Sequence, residues 1–142
     1  MRALIALIIG ACCGQLRGRE AQTILARSML IFVYGTLLRG ESNHCELGAA
    51  RFVADACTEP RYELVSLGHY PALLEHGTDA VRGEIFDVPD EWLGHLDLFE
   101  DVPTLYERKR VALTHGEAIG YVMRRDVAGA APRIASGDWR AR

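Results

Sequence analysis

One glutamate and one strand-ending turn carry the chemistry that can be recognised in this sequence. Glu100 follows Leu93 and Leu96 at the i, i+3, i+7 spacing of one helix face, so it continues the stripe that the helix turns towards the core. Burial, the helix C-terminus and the like charge of Asp97 are all expected to raise the pKa of Glu100 above its reference of about 4.3. Such a carboxyl suits general acid–base catalysis, although the spacing fits a solvent-facing residue of the last turn equally well.

The second feature is the segment Tyr34-Gly35-Thr36-Leu37, which ends the apolar run 30–34. A β-branched run that stops at a turn of this composition predicts a buried strand whose following amides face a ligand. Such amides can hold a carboxylate or an oxyanion, and Gly35 permits a close backbone approach because it has no Cβ. The alternative is an ordinary strand-to-loop turn.

Other kinds of site are poorly supported. Segment 35–42 has the spacing of a phosphate-binding loop, but Glu41 stands where that loop needs lysine and would repel phosphate. The chain has neither a G-x-S-x-G elbow nor a local Cys/His motif for a hydrolytic nucleophile. Its four cysteines include no C-x-x-C pair and its five histidines are scattered, so neither a metal nor a cofactor is predicted. Reduced cysteines favour a cytoplasmic location.

Size and charge narrow the class of protein further. A chain of 142 residues is expected to form a single core. A formal net charge of −3, from 16 basic and 19 acidic residues, argues against nucleic-acid binding. The expected partner is a small molecule, with no membrane partner, and the oligomeric state is left open.

Residues 1–28 differ in character from the rest of the chain. Arg2 precedes a short apolar run at 3–9, and Cys12 stands near a lipoprotein-like cleavage pattern. That run is far too short to span a bilayer. An over-extended start, a secretion signal and an N-terminal helix are the three interpretations, and we favour the first. The expected working domain is therefore 29–142.

Many short strands and one strong helix predict an α+β fold with a mixed, mostly antiparallel sheet. The helix begins at Pro89-Asp90-Glu91, because proline and acidic residues are favoured in a first turn, and it ends before Pro103. Thr114-His115-Gly116 is expected to be the turn of a hairpin. The predicted strands are 30–34, 51–56, 62–67, 70–74, 81–88, 106–113 and 118–123.

Two groups of motifs resemble the gamma-glutamylcyclotransferase-like (AIG2-like) family, and most closely the gamma-glutamylamine cyclotransferases. One comprises Phe32-Val33-Tyr34-Gly35-Thr36-Leu37, Arg39-Gly40 and Asn43-His44; the other is the segment 96–108. The resemblance covers nearly all of 29–123. It implies a small β-barrel flanked by helices. It also implies an enzyme that cyclises a γ-glutamyl amine or amide to 5-oxoproline and releases the free amine.

The resemblance assigns roles to individual residues. It places Glu100 at the position of the catalytic glutamate and makes the turn Tyr34, Gly35, Thr36 and Leu37 the binding site for the glutamyl part of the substrate. Tyr106 is a candidate to orient Glu100 or to contact substrate, whereas Arg108 is interpreted as a solvated edge-strand charge. The candidate pocket walls are Tyr70-Pro71 and Asn43-His44. A non-catalytic protein of the same fold that binds a glutamyl-like ligand is the alternative.

Overall fold

The computed structural model describes residues 27–142, which form one sheet with short helices around it. The strands are β1 (Ser28–Val33), β2 (Arg51–Cys57), β3 (Tyr62–Ser66), β4 (Pro71–Glu75), β5 (Arg82–Pro89), β6 (Tyr106–Leu113) and β7 (Gly116–Met123). The helices are α1 (Asp90–Phe99) and α2 (Arg125–Ala128), with 3-10 helices at His44–Leu47 and Trp139–Ala141. Every predicted strand is present, with ends displaced by at most two residues.

The predicted extension 1–28 lies outside the described residues except for its last two. Of these, Ser28 is the first residue of β1, and the carbonyl of Arg27 accepts a hydrogen bond from the amide of Asp90 at 3.3 Å. Between residues 27 and 142, neither α-helix has the length and apolar character that a membrane crossing requires.

The α+β class is confirmed, but the described sheet is curled and does not close into the barrel that the resemblance implied. Its strand order is β2-β5-β1-β7-β4-β3, with β6 on the other edge of β7. The curl brings the end of β2 to the end of β6, where Thr58 and Leu113 form an isolated bridge. A single bridge at two strand ends does not join the strands along their length, and the sheet stays open.

Strand β7 exchanges one neighbour for another part of the way along its length. Ile119 and Gly120 lie beside β1, whereas Val122 pairs with Leu73 of β4. Both pairings are parallel. Strands β1 and β4 therefore diverge opposite Tyr121, and we call this opening, between the end of β1 and the start of β4, the sheet fork.

Helix α1 packs against β5 and the 3-10 helix His44–Leu47. Leu93 and Leu96 are its buried residues, as the helical spacing predicted. Trp92 fixes the other side of the helix by donating from Nε1 to the carbonyl of Glu46 at 2.8 Å. These contacts set the position of the residue that ends the helix, Glu100.

A buried carboxylate ties the loop after β1 to the C-terminal tail. Glu84 of β5 is almost fully inaccessible and accepts from the backbone amide of Arg39 at 3.0 Å and from its Nε at 3.1 Å. Arg140 donates from Nη2 to Glu84 at 3.2 Å and to the carbonyl of Arg39 at 2.5 Å. Burial opposes ionisation, but these hydrogen bonds outweigh it and hold the pKa of Glu84 below its ordinary value.

We predict that Leu96→Ala lowers the free energy of unfolding by about 2–5 kcal/mol, because the removed methyl groups leave a cavity under α1. Leu98→Ala is the matched control on the same helix, since Leu98 is 84% exposed, and it is expected to change stability by less than about 0.5 kcal/mol. Urea denaturation followed by circular dichroism measures both. Equal effects of the two substitutions would contradict the packing described here.

Candidate active site

A cavity of about 200 Å³ lies at the sheet fork. Glu100 and all four residues of the Tyr34–Leu37 turn line it. The full lining is Phe32, Val33, Tyr34, Gly35, Thr36, Leu37, Asn43, Tyr70, Pro71, Phe99, Glu100, Leu105, Tyr106 and Tyr121. The two features that the sequence singled out for chemistry therefore share one concave space.

The turn that lines this cavity has backbone amides without a partner. The carbonyls of Gly35 and Thr36 accept from the amides of Leu38 and Asn43 at 3.1 and 3.0 Å. By contrast, the amides of Gly35, Thr36 and Leu37 donate to no acceptor in the part of the chain that the structure describes. Buried amides are nearly always paired, so three consecutive unpaired ones beside a cavity form a site that suits an oxyanion or a carboxylate.

Gly35 leaves no room for a larger residue, because Pro71 lies directly against it on the other side of the sheet fork. A Cβ at this position would lie 2.5 Å from Cγ and 2.8 Å from Cδ of Pro71. No real Cβ makes contacts this short, so the turn sits against the start of β4 only because residue 35 has no side chain. The sequence predicted a close approach of this backbone to a ligand, and that stays a prediction; the group that the structure places against Gly35 is Pro71.

The side chain of Tyr34 stabilises the fork itself. Its hydroxyl donates to the carbonyl of Tyr121 on β7 at 2.6 Å and accepts from the amide of Leu73 on β4 at 3.2 Å. Burial raises the pKa of Tyr34 well above its ordinary value, so the hydroxyl stays protonated. Because its hydroxyl is already paired, Tyr34 can make the predicted contact with substrate only through its backbone and its ring.

Tyr106 reaches the fork from the opposite side. Its hydroxyl donates to the carbonyl of Pro71 at 2.7 Å, and burial raises its pKa, with a further contribution from the charge of Glu100. A direct hydrogen bond from Tyr106 to Glu100, one way in which it could orient that carboxyl, is not formed among the described residues. Contact of its ring with substrate stays a prediction.

Glu100 directly follows the last residue of α1, and its backbone amide still donates to the carbonyl of Leu96 at 2.8 Å. Burial raises the pKa of the Glu100 carboxyl from 4.5 to about 7. Asp97, which was expected to add a like charge, is engaged by Arg108, whose Nε lies 3.0 Å from Asp97 Oδ1. The interpretation of Arg108 as a solvated edge charge is therefore wrong, because α1 packs close enough to this strand for Asp97 to form a salt bridge with it.

Among the candidate walls, Asn43, Tyr70 and Pro71 line the cavity. The ring of His44 does not; its Nδ1 instead lies 2.9 Å from the carbonyl of Leu37 and helps to hold the turn. Over residues 27–142, no group of three or more His, Cys, Asp and Glu side chains is arranged to bind a metal ion.

Tyr121 is the wall residue that sequence reasoning missed. It is buried at the fork, and its hydroxyl donates to Oδ1 of Asp97 at 2.9 Å. The alternation of β7 gives no indication of this role, because the position of Tyr121 depends on where β1 leaves β7 and where β4 joins it.

A partly buried carboxyl with a raised pKa thus shares a small cavity with unpaired backbone amides, in a curled α+β sheet. The family model described as "Gamma-glutamyl cyclotransferase, AIG2-like" matches residues 31–141. The chain belongs to this family.

Relatives of known name agree with that assignment. A Vibrio cholerae protein whose name assigns it provisionally as a gamma-glutamylcyclotransferase is 41% identical over 110 residues, which are 78% of this chain and 94% of that one. The Escherichia coli gamma-glutamylcyclotransferase family protein YtfP is 35% identical and its solution structure matches with a TM-score of 0.60, over 78% of this chain and 96% of that one. Mouse gamma-glutamylaminecyclotransferase is 41% identical over 87 residues, 55% of this chain and 58% of that one. A crystal structure of a mouse AIG2-like protein is 30% identical with a TM-score of 0.61, and the match covers 73% of this chain and 81% of that one.

We predict that Glu100→Gln becomes more stable than the parent protein as pH rises. The folded protein retains a proton on Glu100 up to a pKa of about 7, whereas the unfolded chain releases it near 4.5. The stability that this retained proton provides is therefore present below 4.5 and lost as pH rises through 7. Glutamine cannot ionise, so the free energy of unfolding of the variant should exceed that of the parent by an amount that grows from near zero below pH 4.5 to about 3 kcal/mol above pH 7. Urea denaturation at a series of pH values measures it, and a difference independent of pH would contradict the raised pKa.

We predict that Tyr34→Phe lowers the free energy of unfolding by about 1–3 kcal/mol, since the buried groups of Tyr121 and Leu73 lose their partner. Tyr70→Phe is the matched control, because Tyr70 lines the same cavity but is 38% exposed. It should cost less than about 0.5 kcal/mol. Thermal and urea unfolding distinguish the two, and a neutral Tyr34→Phe would show that the fork does not need the hydroxyl.

Proposed function

We propose that this protein is a gamma-glutamyl cyclotransferase that converts a γ-glutamyl amine or amide into 5-oxoproline and the free amine. The observation that carries the proposal is the shared cavity, in which a carboxyl with a pKa of about 7 lies with three unpaired amides. The names of the relatives from Escherichia coli and mouse support the same reaction class.

In the proposed reaction the substrate supplies its own nucleophile. Its α-amino nitrogen attacks its γ-carbonyl carbon, a C–N bond forms in a five-membered ring, and the C–N bond to the leaving amine breaks. Ring closure is intramolecular, so holding the glutamyl chain folded back contributes much of the rate. No water is consumed, which agrees with the absence of a hydrolytic nucleophile motif from the sequence.

Glu100 is the proposed proton carrier. As a carboxylate it accepts a proton from the attacking amino group, and as a carboxylic acid it donates that proton to the leaving nitrogen. A group with a pKa of about 7 can do both near neutral pH. Its partial burial also keeps water from competing for the proton.

The amides of Gly35, Thr36 and Leu37 are the proposed anion site. They would hold the α-carboxylate of the glutamyl group or the oxyanion that develops on the γ-carbonyl oxygen. A preorganised donor of the second kind is typically worth about 3–4 kcal/mol of transition-state stabilisation. The aromatic wall of Tyr106 would then lie against the glutamyl chain.

We predict that Glu100→Gln lowers kcat for 5-oxoproline formation by about 10²–10⁴-fold, because glutamine cannot transfer the proton. Glu91→Gln, in the first turn of the same helix and outside the cavity, should retain full activity. The assay follows 5-oxoproline released from γ-glutamyl-ε-lysine, γ-glutamyl amino acids and glutathione. Normal turnover by Glu100→Gln would remove Glu100 from the mechanism.

The same panel separates the enzyme from the alternative. Thermal stabilisation of the parent protein by these compounds without any 5-oxoproline would identify a non-catalytic binding protein. For an enzyme, kcat/KM should rise with pH through a midpoint near 7, since the reacting form of Glu100 at the first step is the carboxylate.

The proposal also covers where and in what form the enzyme works. The family match begins at residue 31, which agrees with a catalytic unit formed by 29–142. A small-molecule substrate in the cytoplasm is expected, with no nucleic-acid partner and no cofactor.

A further inference from the structure

Glu100 shares its cavity with several tyrosine hydroxyls, and the buried ones donate to other acceptors. The tyrosines that line the cavity are Tyr34, Tyr70, Tyr106 and Tyr121. The three buried ones donate to other acceptors, which are the carbonyl of Tyr121, the carbonyl of Pro71 and Oδ1 of Asp97. No side chain of residues 27–142 donates a hydrogen bond to the carboxyl of Glu100, although this carboxyl is largely removed from water.

The acceptor for Tyr121 differs from the other two, because it is a charged side chain of the catalytic helix. Asp97 precedes Glu100 by one turn of α1. Its Oδ1 accepts from the Tyr121 hydroxyl at 2.9 Å and lies 3.0 Å from Nε of Arg108. A single oxygen atom thus holds both a hydroxyl and a guanidinium beside the cavity.

The sheet places these two donors together. Arg108 of β6 is the direct partner of Tyr121 in the β6–β7 register. Arg108 also lies two residues from Tyr106, and alternate residues of a strand share one face. Both Arg108 and Tyr121 therefore project on the side of the sheet that carries the cavity, where both contact Oδ1 of Asp97.

We propose that Asp97 is a positioning residue that, paired with Arg108, holds the hydroxyl proton of Tyr121 away from Glu100. The salt bridge between Asp97 and Arg108, whose side chains are both partly exposed, thereby acquires a role in the candidate active site. Its consequence for turnover rests on the proposed function; its consequence for the ionisation of Glu100 does not.

A hydrogen-bond donor changes the pKa of the carboxyl that accepts from it. A hydroxyl that donates to Glu100 would favour the charged form, lower its pKa and make it a weaker base. Tyr121 is a competent donor, because burial and the hydrogen bond to Asp97 raise its pKa and keep it protonated. The remaining titratable groups that line the cavity around Glu100 are Tyr34, Tyr70 and Tyr106; no Lys, Arg or His of the described chain belongs to this lining.

The test is a ¹³C NMR titration of the Glu100 side-chain carboxyl in full-length protein labelled at the glutamate carboxyl carbon, with Glu100→Gln to identify the resonance. Asp97→Ala should lower the pKa of Glu100 by about one unit, because the freed Tyr121 hydroxyl turns to it. Asp97→Asn removes the same charge but keeps an oxygen acceptor, so it should leave the pKa within about 0.3 units of the parent. Asp97→Leu, which fills the space without an acceptor, is the second variant where Asp97→Ala does not fold.

Tyr121→Phe, alone and combined with Asp97→Ala, completes a double-mutant cycle. In this background there is no hydroxyl to release, so adding Asp97→Ala should shift the pKa of Glu100 little. An equal shift in Asp97→Asn and Asp97→Ala, or a full shift in the double variant, would assign the effect to charge and overturn the proposal.

Turnover provides a separate measurement. In Asp97→Ala the midpoint of the pH dependence of kcat/KM should move to lower pH by the same amount as the NMR pKa, and Asp97→Asn should restore it. If the parent protein forms no 5-oxoproline from any γ-glutamyl compound, the proposed function fails, while the titration still decides the role of Asp97.

Discussion

The candidate site depends on the exchange of neighbours along β7. The carbonyl of Tyr121 and the amide of Leu73 lie where β1 leaves this strand and β4 joins it, and buried backbone groups cannot remain unpaired without cost. The Tyr34 hydroxyl satisfies both, donating to one and accepting from the other. This hydroxyl thereby joins β7 and β4 beside the opening, much as ligand sites of open α/β sheets form where the strand order changes direction.

The loop that follows the turn is positioned by charge. Glu84 receives the backbone amide and the guanidinium of Arg39 and a second guanidinium from Arg140 near the C-terminus. Buried ion pairs contribute little net stability when compared with apolar packing, but breaking one is costly because a charge is left without a partner. The cluster therefore acts chiefly to select one arrangement of the loop over others. The tail contributes to the position of this loop through Arg140.

Local pattern was enough to predict the strands, the main helix and two features of the candidate site. The buried positions Leu93 and Leu96 and the location of Glu100 follow from helical spacing, and the strand-ending turn follows from the composition around Gly35. The pairing of strands that are distant in the chain could not be predicted from the sequence. The place of Tyr121 at the fork depends on two parallel pairings from distant strands. The open, curled sheet depends likewise on contacts between strand ends, which a motif for a barrel-like family does not specify.

The hydrogen-bonding groups of this site divide into those that build it and those left for a ligand. Every buried hydroxyl that could reach the cavity is committed to a carbonyl or to Asp97, while three amides of the turn and the carboxyl of Glu100 have no partner among the described residues. A buried hydroxyl that donated to this carboxyl would lower its pKa, and an acceptor from the protein would occupy the amides. The donors and the acid are thus kept free at one place, which is the arrangement that proton transfer beside a developing oxyanion requires.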